Sequence, residues 1–173
     1  LSIRRFEKVV AENGCVVTYT HGGGRIGVIV EAETAVVNDA VKEALTNVAM
    51  QVAALNPKYV STDEVSEEYK NHEKEILTEQ IKNDPKMAGK PEKVIEGAVN
   101  GRLNKELKEV CLLEQVYVKA EDGKQSVKQY IDAVSKANDT TITLKKFVRF
   151  ETGEGIEKKV DDFAAEVAAQ AGL

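Results

Sequence analysis

Apolar and polar positions alternate through the first thirty residues, switch to a helical period near residue 39, and thin out sharply between 61 and 110. Val9 and Val10 lead into Asn13-Gly14, and Cys15-Val16-Val17-Thr18-Tyr19-Thr20 follows. An Asn-Gly pair between β-branched runs predicts a hairpin turn, because both residues tolerate positive φ. Gly22-Gly23-Gly24 predicts a second turn, and Ile26, Val28 and Val30 after it share one face. The expectation is a three-stranded antiparallel meander over the first thirty residues. From Asp39 the apolar positions Val41, Ala44, Leu45, Val48, Ala49, Val52 and Ala53 recur at three and four. That is a wide helical stripe, capped by Asn38 or Asp39, stopped by Asn56-Pro57 and suited to covering a sheet.

Residues 61–110 hold 12 acidic and 9 basic side chains, with few apolar ones between them. Two helices are legible there. The first is predicted to open at Thr62-Asp63 with Val65, Tyr69, His72, Ile76 and Gln80 along a narrow seam. The second is predicted to start near Pro91 with Ile95, Val99, Leu103, Leu107 and Val110. A narrow seam on charged helices predicts a protruding antiparallel hairpin rather than helices sunk in a core. Farther on, Val116-Tyr117-Val118 reads as extended and Glu121-Asp122-Gly123 as a turn. Val127, Tyr130, Ile131 and Val134 predict a helix, and Ile142, Leu144, Phe147, Val148 and Phe150 a strand. A last helix carries Val160, Phe163, Ala164, Val167 and Ala168. The predicted fold class is α+β: a three- to four-stranded antiparallel sheet covered by helices, with an inserted helical hairpin and a C-terminal helix. The predicted divisions are a core subdomain in two parts (1–60 and 111–150), an arm (61–110) and a C-terminal module (151–173).

Composition narrows the function. The 173 residues carry a net charge of −5 and no Trp, which disfavours both a phosphate-backbone footprint and an aromatic platform for single strands. Direct nucleic-acid binding is therefore not expected. No apolar run reaches the roughly 18 residues of a membrane span, so no membrane association is expected either. Cys15 and Cys111 form neither a CxxC pair nor a disulfide framework, and a reducing cytoplasm is the natural compartment. With His21 and His72 also far apart, no metal site and no cofactor are expected. Three motifs invite chemistry and lose it on inspection. His21-Gly22-Gly23-Gly24 matches an esterase oxyanion loop, but no Ser sits in a G-x-S-x-G elbow. Gly153-Glu154-Gly155 could cradle phosphate, but Glu151, Glu154, Glu157, Asp161 and Asp162 surround it with negative charge. Asn138-Asp139-Thr140 has the form of a glycosylation acceptor, without meaning in a reducing compartment. No nucleophile or paired acid and base survives, so no catalytic residue is assigned. The last segment, with a net charge of −4 over 151–173, either closes over its own domain or docks into another protein.

The wording of the chain is more specific than its composition. Tyr19-Thr20-His21-Gly22-Gly23-Gly24-Arg25-Ile26-Gly27-Val28 resembles a hallmark stretch of the bacterial elongation factor Ts family. So do Ala49-Met50-Gln51-Val52-Ala53-Ala54 with Asn56-Pro57, Gly89-Lys90-Pro91 and Gly101-Arg102. Phe147-Val148-Arg149-Phe150-Glu151 with Gly153-Glu154-Gly155-Ile156-Glu157-Lys158 is similar to it too, as is Asp162-Phe163-Ala164-Ala165-Glu166-Val167-Ala168-Ala169-Gln170. The resemblance implies a factor that binds elongation factor Tu and promotes GDP/GTP exchange by wedging into its G-domain, without covalent chemistry. It matches the family's second core subdomain, its dimerisation arm and its C-terminal module. The N-terminal helical domain and the family's Thr-Asp-Phe-Val subdomain find no counterpart here. The opening Leu1-Ser2-Ile3-Arg4-Arg5, without Met, looks like mid-chain, so a piece of a longer protein with weak exchange alone is expected. By position, the resemblance implies partner contacts at His21, at Tyr117, Val118 and Lys119, and at Phe163 and Val167. It implies a homodimer through Ile95, Val99 and Leu103 of the arm. A module that serves only self-association through that arm is the alternative expectation.

Overall fold

The computed structural model describes residues 3–87 and 89–156. Three strands form one antiparallel sheet in the order β1 (Gly14–His21), β2 (Ile26–Glu33), β3 (Thr143–Glu151). Helix α1 (Asp39–Leu55) lies on one face, α2 (Glu67–Lys82) and α3 (Glu92–Val110) pair with each other, and α4 (Val127–Ala137) packs beside α1. This is the α+β architecture that the periodicity predicts.

The sheet differs from the expected meander in one strand. Val9 and Val10 lie in an irregular segment, and the third strand is β3, supplied from the far end of the chain. Asn13-Gly14 is accordingly no hairpin turn. It opens β1, where Asn13 O accepts from Thr34 N at 3.2 Å. Gly14 sits at φ 147, and a Cβ there would lie 2.1 Å from the Ala32 carbonyl oxygen. The glycine therefore serves the close approach of two strands, a second use of glycine that local turn statistics do not separate from the first. The real hairpin turn is Gly22-Gly23-Gly24, with φ of 60, 65 and 94.

Register explains the uneven spacing in β3. Glu31 pairs with Lys146 but Ala32 pairs with Leu144, so Lys145 is an extra residue at a bulge. Leu144 before it and Phe147 after it thereby share the face of Val30 and Ala32. On that face Val28, Val30, Ala32 and the stripe of α1 are almost wholly buried, with Ile131 and Leu144. Asn38 caps α1 by accepting from Val41 N at 2.9 Å, and left-handed Asn56 ends it, as its sequence implies. On the opposite face the segment before β1 crosses β3. Arg5 stacks 4.4 Å from the Phe150 ring centroid and pairs with Glu154, while Glu7 pairs with Lys146.

The arm has its own apolar cluster of Val65, Leu77, Ile81, Val99, Leu103, Leu107 and Cys111. The seam of α3 lies where the spacing predicts. That of α2 does not: a single 3-10 turn spans Thr62–Glu64, and Ser66 caps a helix that begins at Glu67. Its inward face is Tyr69, Leu77 and Ile81, while His72, Ile76 and Gln80 are exposed. The phase is set by Leu77 and Ile81, which insert against α3, while the equally large Ile76 is left exposed. The nearly polar stretch before them gives almost no periodic signal to fix it. At the root, Lys58 N and Tyr59 N donate to Val110 O, and Leu112 N donates to Tyr59 O.

Candidate functional site

Two exposed features of the core carry the sequence-predicted positions. The first is the hairpin end of the sheet. His21 closes β1, and its Nδ1 lies 3.0 Å from the Tyr19 hydroxyl. Register sets His21 opposite Ile26 and Ile26 opposite Glu151, while Tyr19 and Arg149 both pair with Val28. Directly paired residues share a face, so a Tyr19–His21 pair and an Arg149–Glu151 ion pair at 2.8 Å flank Ile26 on the helix side. Arg149 is only 10% exposed there, and its Nε is buried without a partner.

The second feature is the segment 115–119. Its residues alternate inward and outward: Gln115 and Tyr117 are buried, Val116 is 51% and Val118 48% exposed. Tyr117 stacks on Tyr130 with ring centroids 4.2 Å apart. Burial, and then the Tyr130 hydroxyl beside it, push the Tyr117 phenol well above its usual range, so it stays neutral. Lys119 Nζ donates to Asn47 Oδ1 at 2.7 Å, and Asn47 Nδ2 donates to Tyr130 at 2.9 Å. Gln51, one turn on, binds both Val116 and Val118. An open depression of about 720 Å³ lies beside this segment, lined by Asn47, Tyr117, Lys119, Asp122 and Gln129 among others. Among the described residues no hydrogen bond joins His21 to this segment.

The family model described as Elongation factor TS matches residues 1–154. Proteins named Elongation factor Ts are similar over nearly the whole chain. The protein from Clostridioides difficile (strain 630) is 55% identical over 98% of the chain and 54% of its own length. That of Clostridium botulinum (strain Eklund 17B / Type B) is 47% identical over 99% and 55%. That of Clostridium novyi (strain NT) is 46% identical over 98% and 54%. This chain belongs to the elongation factor Ts family. It spans about half the length of the curated relatives it matches.

For a member of the elongation factor Ts family, the remaining positions fall as follows. Val99 and Leu103 are buried inside the hairpin of one chain, against α2. Ile95 is half-buried and, with Val99, floors a groove of about 380 Å³ between Lys74 and Lys82 on α2 and Glu92 and Glu96 on α3. Phe163 and Val167, and the last helix that would carry them, lie outside the described residues. The two thiols, both among the described residues, are held protonated. Burial, then Glu114 and Glu64, push the Cys111 thiol up to about 11, and burial raises Cys15 as well. Among the described residues no group of three or more His, Cys, Asp or Glu is placed to hold a metal ion, and no helix is long and apolar enough to cross a membrane. Gly153 and Gly155 shape a turn whose Glu154 takes Arg5 at 2.6 Å, and whose carbonyl takes Arg4.

Sequence reasoning did not single out Asn47 or Gln115, read Tyr130 only as a position on a helix, and met Gln51 and Arg149 only as letters of the family blocks. Gln51 left a readable trace, a polar residue on the flank of an otherwise apolar stripe. Gln115 and Arg149 left none, because their burial depends on partners far along the chain.

Proposed function

We propose that this chain presents a docking surface for elongation factor Tu and contributes to GDP/GTP exchange on it, altering no covalent bond. The observation that carries the reading is the family match over residues 1–154, with relatives named Elongation factor Ts covering nearly the entire chain. The geometry agrees with it. The exposed His21 end of the sheet and the outward Val116 and Val118 are backed by packed core residues. A protein that binds the nucleotide-free form of its partner more tightly than the loaded form must, by linkage, loosen the nucleotide. Contacts at His21, at the 117–119 stretch, where Tyr117 packs inward and Val118 and Lys119 face outward, and at Phe163 and Val167 belong to this proposal. So do the cytoplasm as compartment, the division into core, arm and C-terminal module, and weak exchange by these residues alone. The family's Thr-Asp-Phe-Val motif does not occur in them.

The test is calorimetric titration of elongation factor Tu into the chain, alongside release of a fluorescent GDP. Binding that strengthens when nucleotide is removed, with modest acceleration of release, is the expected result. No measurable affinity in any nucleotide state would overturn the reading.

A second role rests on the arm groove. Its basic wall on α2 and acidic wall on α3 are joined by no ion pair among the described residues. A second copy related by a two-fold axis would set each wall against its opposite, giving a homodimer. Ile95→Glu should then lower the mass seen by light scattering, and an unchanged oligomer would refute the arm's role.

A further inference from the structure

Gln51 is wholly buried, yet every other buried residue of α1 is apolar. All of its polar atoms are engaged. Its Oε1 accepts from Val118 N at 2.8 Å, and its Nε2 donates to Val116 O at 3.0 Å and to Gln115 Oε1 at 3.1 Å. Gln115 Nε2 passes the chain on to Glu109 O at 2.7 Å. The orientation of the Gln51 amide follows from chemistry: a backbone N–H must meet its oxygen and a backbone carbonyl its nitrogen.

The pattern has a specific meaning. In a parallel β pair, one residue donates to the carbonyl before its partner and accepts from the N–H after it. The Gln51 side chain does this around Tyr117. On the other edge, Tyr117 N donates to Gln125 O at 2.9 Å, and Val116 bridges Ser126. The segment is thus an isolated strand, paired on one side with backbone and on the other with a single side chain. Alternation along that strand turns Tyr117 inward and Val116 and Val118 outward.

We propose that Gln51 is a positioning residue for the partner-facing surface, its amide replacing a neighbouring strand so that Val116 and Val118 form a rigid, outward apolar pair. The inference rests on the reading above that this segment meets elongation factor Tu. Without the amide, Val116 O and Val118 N would be buried unpaired or would leave α1, and ordering the segment would fall to the binding step.

Three measurements test it. In the free chain, hydrogen exchange at the Val118 amide should be slow, whereas exchange as fast as at the Glu121–Lys124 turn would overturn the proposal. Gln51→Met should weaken binding to elongation factor Tu about tenfold, through lost preorganisation. Gln51→Glu supplies a rescue: as a neutral acid it can accept from Val118 N and donate to Val116 O, but as a carboxylate it cannot donate. Its affinity should recover as pH falls from about 8 to about 6, because burial raises a carboxyl's pKa, while Gln51→Met shows no such recovery. The double variant Val116→Ser/Val118→Ser, which leaves Gln51 and its partners in place, separates the two claims. If that variant binds at full strength, the docking reading fails and takes this inference with it. If it binds weakly while folded Gln51→Met binds like the parent chain, the positioning role alone is overturned.

Discussion

The core and the arm bury aliphatic side chains on very different scales. In α1, eight of seventeen residues are buried, so the helix is held by a broad apolar face against a sheet. In α2 and α3, two of sixteen and three of nineteen are buried, so each helix depends on one narrow row of contacts with the other. Breadth of burial fixes both position and phase, whereas a narrow row leaves a helix's rotation to a few side chains. The core is therefore suited to holding a surface in fixed shape, and the arm to reaching outward on little buried area.

The contrast can be broken in order of effect. Leu45 is fully buried in the core, and Leu45→Ala should lower global stability by about 3–4 kcal/mol. Urea denaturation followed by far-ultraviolet dichroism measures it, and a loss under about 1 kcal/mol would mean that the core is looser than its burial implies. Leu103→Ala in the arm should cost about 2 kcal/mol, and hydrogen exchange should speed up in α2 and α3 while β1 to β3 keep their protection. Equal loss of protection in the sheet would instead make the two clusters one cooperative unit and erase the distinction.

The smallest effect belongs to the junction. Glu114 has a buried Oε2 without a partner, and burial holds its carboxyl above the usual 4.5. Its contribution to stability is thus complete below that value and is lost as pH rises through the raised one. Glu114→Gln should therefore stabilise the chain slightly at neutral pH, with the gain vanishing in acid. A gain that grows as pH falls would show the sign to be wrong.

What the amino-acid order reveals follows the same divide. The stripe of α1 and the seam of α3 were legible because three- and four-residue spacing of large aliphatics reports a face directly. The rotation of α2 was not, since only Leu77 and Ile81 determine it. Asn13-Gly14 misled because a turn and a close strand approach ask for the same residue, and the two differ only through Ala32, far along the chain. At the candidate site, His21 and the 117–119 stretch were expectations carried over by position from the family resemblance. What surrounds them was less legible: Tyr19 reaches His21 along one strand, but Arg149 comes beside Tyr19 only through their shared pairing with Val28, and Gln51 meets Gln115 across 64 residues of sequence.

The backbone bonds at Lys58, Tyr59 and Val110 bring the entry and exit of the hairpin side by side on the core. An insertion whose two ends already touch is a graft point. Its length can grow, shrink or be exchanged for another helical pair of matching ends while the sheet beneath keeps its connectivity, so reach can diversify here independently of the core.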